Sequence, residues 1–215
     1  MKSWEIVLIV LVMSSILASP SFASIPDANV VKGRFEISGG TGSSVELAKD
    51  NAGNKARYQW TSIALDYGID DETGIGIGFW GQNYLDNIQY DKSLLGDIAN
   101  ALFPIITYVD TAADIHLRKQ FDREQDGAIW DAAWIYGAGV ISGRLSNGEP
   151  KTYLFPEIGV GINKKLIKEW LIARVNLVAG VPMGVELACK PTNNLEITVG
   201  LNRPEYPMIN AKLIF

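Results

Sequence analysis

His116 is the single histidine in a chain of 215 residues, and Asp114 stands two positions before it. At that spacing two side chains share one face of an extended strand, and a carboxylate so placed can orient an imidazole as a general base. Little else in the sequence is reactive. Cys189 is the only cysteine, which excludes an internal disulfide and any cysteine cluster for structural zinc or an iron–sulfur centre. Gly74-Ile75-Gly76-Ile77-Gly78 has the glycines of a phosphate cradle but neither the lysine nor the helix that should follow, and its glycines alternate at strand period. Basic residues are scattered and the net charge is −5, so nothing provides the electrostatic footprint of a nucleic-acid partner.

Extended chain must position these groups. Between Thr107 and Phe121, the residues Thr107, Val109, Thr111, Ala113, Ile115 and Leu117 fall on one face. Tyr108, Asp110, Ala112, Asp114, His116, Arg118 and Gln120 fall on the other. Such period-two patterns recur and predict strands near 30–38, 57–69, 74–83, 107–121, 129–143, 152–163, 170–181, 184–190, 194–202 and 206–215. The count is ten, with eight and twelve as alternatives, and an even number returns both ends of a closed sheet to one side. The connections 39–56 and 84–106 are long, Asp70-Asp71-Glu72-Thr73 is a tight turn between them, and all later connections are short.

A soluble sandwich also alternates in this way, and the two ends of the chain decide between the possibilities. Lys2 precedes an apolar run from Ile6 to Met13 that continues through Ile16, Leu17 and Ala18, and Pro20 then breaks it before Ser21-Phe22-Ala23. That order is expected of a signal peptide spanning residues 1–23 and cleaved after Ala23. The run is shorter than the roughly 20 apolar residues of a spanning helix. Position 24 is Ser and not Cys, which closes the lipoprotein route. At the other end Ile209, Ala211, Leu213 and Phe215 alternate along a final strand that stops on an aromatic.

In its signal peptide, strand alternation and terminal Phe strand, the chain resembles small outer-membrane β-barrel proteins of Gram-negative bacteria, the OmpX-like, OmpA-barrel and opacity-protein group. Over residues 24–215 the resemblance implies an all-β fold, a single antiparallel transmembrane up-and-down β-barrel. It implies a monomer in outer-membrane lipid, with periplasmic chaperones and the barrel assembly machinery as partners on the way. Ile209, Ala211, Leu213 and Phe215 are then the assembly signal. The resemblance carries over no catalytic, cofactor-binding or metal-binding residue.

In such a barrel the outward positions are apolar: Val31, Phe35 and Ile37; Ile63, Leu65 and Ile69; Ile75, Ile77 and Phe79; Leu154, Ile158, Val160 and Ile162. Leu171, Val175, Leu177, Val185, Leu187, Leu195, Ile197, Val199 and Leu201 continue the series, and Cys189 shares their parity. Trp60, Trp80, Trp130, Trp134, Trp170, Tyr67, Tyr136 and Tyr206 lie mostly toward strand ends, where aromatic girdles sit. Trp60 and Trp80 carry inward parity, which a one-residue bulge would reverse. Glycines punctuate the inward face at Gly76, Gly78, Gly137, Gly139, Gly159, Gly161 and Gly200, leaving room for large neighbours in a narrow barrel.

Inward parity also collects Lys32, Arg34, Glu36, Asp66, Asp110, Asp114, His116, Arg118, Glu157, Arg174, Glu186, Glu196 and Lys212. Side chains largely fill so small a barrel, and buried charges persist when paired, so these residues read as a lumenal ion-pair network. The function expected is non-enzymatic, in envelope structure or in surface interaction through the two long outer loops. A narrow channel for small solutes is the first alternative.

The second alternative is a hydrolase built on Asp114 and His116, a pair similar to the Asp-x-His of the outer-membrane omptin proteases. That likeness covers three residues, and Asp70-Asp71 lies in a periplasmic turn where it cannot assist. Ser62 and Ser142 are candidate lumen or rim hydroxyls outside any recognisable lipase motif. Leu94 to Phe103, in the second outer loop, predicts a short apolar helix ended by Pro104; folding into the barrel mouth is the first reading because it needs no partner, with the outer-leaflet interface and a partner or apolar ligand as alternatives.

Overall fold

Alternating segments become strands where each finds a hydrogen-bonding partner on both sides. The computed structural model describes residues 27–43, 48–49, 55–56, 58–84, 106, 108–145, 147–168, 170–179, 184–202 and 207–215. The signal peptide and its cleavage after Ala23, Tyr206 and the apolar segment 94–103 lie outside the described residues. The strands are β1 (Phe35–Ser43), β2 (Ala48–Lys49), β3 (Lys55–Ala56), β4 (Tyr58–Gly68), β5 (Thr73–Tyr84), β6 (Tyr108–Asp122), β7 (Asp131–Arg144), β8 (Pro150–Ile167), β9 (Leu171–Ala179), β10 (Gly184–Thr192), β11 (Leu195–Asn202) and β12 (Pro207–Ile214). Strands β2 and β3 form a separate small hairpin in the first long connection. The other ten close into one antiparallel barrel in which each pairs with its chain neighbours and β1 pairs with both β4 and β12.

The expected first strand, 30–38, is displaced. Gly33 takes a left-handed φ of 74°, and its N–H bonds to the Gly68 carbonyl, so the chain turns at Val31–Arg34 before β1 begins. The strand then runs through Gly39, Gly40 and Gly42, which read as loop in isolation. Glycine is a poor strand former by itself, but here β12 and β4 hold it from either side. The turn between β4 and β5 is fixed by Asp70, whose side chain accepts the N–H groups of Glu72 and Thr73 at 2.8 and 2.6 Å. These bonds hold the Asp70 carboxyl below the usual aspartate range.

Closure gives each of the ten barrel strands a partner on both sides and separates two faces. Outward side chains such as Ile63, Phe79, Ile115, Leu117, Leu177, Val185, Val199 and Ile209 are exposed, and backbone polar groups behind them are paired within the ladder. An apolar exterior around a charged interior is the arrangement that hydrocarbon solvates and water does not. Phe35, Tyr67, Phe121, Trp130, Trp134, Trp170 and Phe215 form an exposed aromatic girdle at the end of the barrel that holds the chain terminus. There Phe35 and Phe215 have ring centroids 6.4 Å apart, and Phe121 and Trp134 5.2 Å.

Trp60 and Trp80 do not join a girdle, and no bulge turns them outward. Their strands pair in unbroken register, and Trp60 is 0 % exposed. With Ile106, Ala112, Ile141 and Met208 they form an apolar layer across the lumen toward the long-loop end. Val109, Tyr153 and Phe155 pack against it.

Candidate functional site

The lumen between that apolar layer and the terminal end holds the charged residues, and the strand register brings them into two connected clusters. The first centres on Asp27, which belongs to no strand. The segment before β1 folds back into the barrel mouth, and Asp27 is only 2 % exposed. Its carboxylate lies 3.1 Å from Arg174 Nη2, 3.3 Å from Arg34 Nη2 and 3.9 Å from Lys212 Nζ. Asn163 Nδ2 also donates to it, and its main-chain carbonyl accepts Arg118 Nη1 at 2.8 Å. Arg174 grips Glu196 with both terminal nitrogens, at 2.5 and 2.8 Å. Glu36 is paired with Arg34, and with Lys212 at 3.2 Å, while Glu186 stands 4.0 Å from Arg174. Strands β1, β6 and β8 to β12 are thereby tied to the N-terminal segment and to one another, largely by charge-assisted contacts.

The second cluster is built around the imidazole. His116 Nδ1 lies 2.7 Å from Asp114 Oδ2, and its Nε2 lies 3.3 Å from Asp66 Oδ1 on β4. Arg118 Nη2 approaches the same Asp66 oxygen at 3.2 Å. Glu157, from β8, reaches the group across β7 and offers a ligand-capable oxygen within 4.8 Å of those of Asp114 and His116. It is 3 % exposed, and its Oε1 has no hydrogen-bond partner.

Of the residues expected in the lumen, Arg34, Glu36, Asp66, Asp114, His116, Arg118, Glu157, Arg174, Glu186, Glu196 and Lys212 are there. Lys32 is not: the turn at Gly33 leaves it exposed, outside the strand whose parity placed it inside. Asp110 is also outside the network. The pairing of β6 with β7 shifts register between Val109 and Thr111, and Asp110 makes a half-exposed pair with Arg144 at 3.5 Å. Asp27 was missed because parity is undefined for a residue outside strands. Asp66, read as one lumen charge among many, is the second carboxylate of the imidazole.

An Asp-His pair therefore exists, but its surroundings are not those of an open hydrolase. Both ring nitrogens face carboxylates. Ser62 Oγ is spent on the Gly40 carbonyl at 3.3 Å, and Ser142 Oγ lies 2.8 Å from the Thr152 hydroxyl. Asp70 sits in the β4–β5 turn, engaged with that turn's own backbone.

The sequence matches no protein-family model and no curated protein. Among solved structures it is similar to the outer membrane protease OmpT from Escherichia coli, at 13% identity, over 91% of this chain and 96% of that one, with a TM-score of 0.37. It is similar also to Ail, the attachment invasion locus protein of Yersinia pestis, at 13% identity over 86% and 97% with a TM-score of 0.30. A major outer membrane protein from Thermus thermophilus is 12% identical over 84% and 99%, again with a TM-score of 0.30. At these scores the fold assignment rests on the strand pairing itself.

Proposed function

We propose that this chain is an integral outer-membrane barrel of a Gram-negative bacterium, non-enzymatic and non-conducting, serving envelope structure or surface interaction through its two long connections. The observation that carries the reading is that the lumen is occupied at two levels. The layer around Trp60 and Trp80 crosses it toward the loop end, and the Asp27 cluster crosses it at the terminal end. A barrel of ten strands is only slightly wider than one whose interior side chains fill.

Residues 1–23 act as the signal peptide in this reading, the terminal end faces the periplasm, and the long connections 44–57 and 85–107 face outward. The alternating Ile209, Ala211, Leu213 and Phe215 are the segment handed to the assembly machinery. A non-enzymatic role is supported by the imidazole, whose two nitrogens are both taken by carboxylates.

Planar-bilayer recording of the refolded chain without residues 1–23 tests the reading. The expected trace is flat across the applied voltage. Discrete current steps with ion selectivity would replace it with the narrow-channel alternative, because mixed-sign linings also occur in selective pores.

A further inference from the structure

Asp114, His116 and Glu157 come from two strands that are not neighbours, and glycines allow them to meet. Gly76 and Gly78 of β5 stand opposite His116 and Asp114, and Gly137 and Gly139 of β7 flank the same two residues from the other side. A Cβ at Gly76 would lie 2.5 Å from Asp66 Oδ1 and 2.7 Å from His116 Cε1. One at Gly137 would lie 2.5 Å from Glu157 Oε2. These glycines are thus the walls of a space that a carboxylate from β8 enters to reach an imidazole on β6.

With Glu157 ionised, charge inside this space does not balance. Arg118 and His116 are the cationic partners within ion-pair distance of Asp66 and Asp114. Glu157 has no ion pair among the described residues and one wholly buried oxygen without a hydrogen bond. An unpaired buried carboxylate is costly, and it is relieved by a proton or, where other ligands stand beside it, by a cation. We propose that Asp114, His116 and Glu157 bind a divalent transition-metal cation in the lumen, linking β6 to β8.

One imidazole and two carboxylates form the nitrogen–oxygen donor set that suits zinc and its first-row neighbours. The surroundings complete it. A metal-bound histidine usually gives its other N–H to a carboxylate that fixes the ring, and Asp66 stands at Nε2 for that purpose, itself held by Arg118. Nδ1 is then the donor, and the cation takes the place of its proton, which leaves to solvent. Two ligands on a tetrahedral zinc stand about 3.3 Å apart. Nδ1 and Asp114 Oδ2, now 2.7 Å apart, open by about half an ångström to admit the ion.

The test uses the untagged chain without residues 1–23, with Cys189→Ser removing the thiol as a competing zinc ligand. It is refolded in detergent with excess Zn2+, desalted, and assayed for metal by mass spectrometry and for thermal stability. The parent should retain one zinc per chain and melt higher with zinc than without. Glu157→Gln should retain none, yet without metal it should melt at or above the parent, since it removes an unpaired charge and preserves shape. Asp66→Asn should weaken binding roughly 10- to 100-fold. Substoichiometric zinc in the parent, or equal retention by the parent and Glu157→Gln, would overturn the proposal.

Discussion

Asp27 is the residue whose environment most exceeds what its neighbours in sequence suggest. Three cationic side chains and one amide converge on its carboxylate inside the barrel. Removing it leaves Arg174, Arg34 and Lys212 with fewer partners in a confined interior, where breaking one member of a buried pair costs about 3 to 5 kcal/mol. Asp27→Ala should therefore lower the melting temperature of the refolded barrel strongly. Lys32→Ala, five positions away but exposed on the turn, should change stability by no more than about 0.5 kcal/mol. Paired thermal melts in one detergent decide the matter, and equal losses would mean that the N-terminal segment does not enter the lumen.

At the scale of the strand, β6 displays the two-sided logic of the whole barrel. Asp114, His116 and Arg118 are buried, while Ile115 and Leu117 between them are exposed. Register shifts near each end of its pairing with β7 limit regular alternation to the middle. A charge facing lipid at mid-bilayer costs about 2 to 4 kcal/mol and falls to about 0 to 1 kcal/mol near the interfaces. Ile115→Arg should accordingly reduce folding yield into lipid vesicles far more than Thr111→Arg, four residues nearer the loop end on the same outward face. Similar yields from both variants would contradict the depth assigned to this strand.

For the molecule as a whole, closure depends on the seam between β1 and β12. Phe215 stands just past the last strand, where its N–H donates to the Phe35 carbonyl at 2.8 Å and its own carbonyl accepts the Phe35 N–H at 3.1 Å. The ring rests near Phe35 on the outer surface. Deleting Phe215 removes those two bonds and a mostly exposed ring, a loss of a few kcal/mol at most, so the refolded barrel should persist in detergent with a lower melting temperature. In cells the same deletion should reduce surface levels much more, if the terminal aromatic is read during assembly. Undiminished surface levels would remove the assembly role and leave Phe215 as a seam residue alone.

Much of this was legible along the chain because a strand's period is local: each side chain's face follows from its position alone. The ten barrel strands, the outward series through Ile197 and Val199, and the inward set from Glu36 to Lys212 are of that kind. Parity even placed Trp60 and Trp80 inside, where only the expected bulge was at fault. Local period cannot say what happens where the backbone leaves the strand or a register shift interrupts it, which is why Lys32 and Asp110 fell outside the network and Asp27 fell within it. Nor can it pair residues across the barrel. His116 meets Asp66 fifty positions earlier and Glu157 on a strand beyond its neighbour, because inter-strand register and glycine-lined space fix those distances. Parity established by sequence settles which face a side chain takes; closure of the barrel alone decided which side chains touch, since contact depends on partners supplied by distant chain.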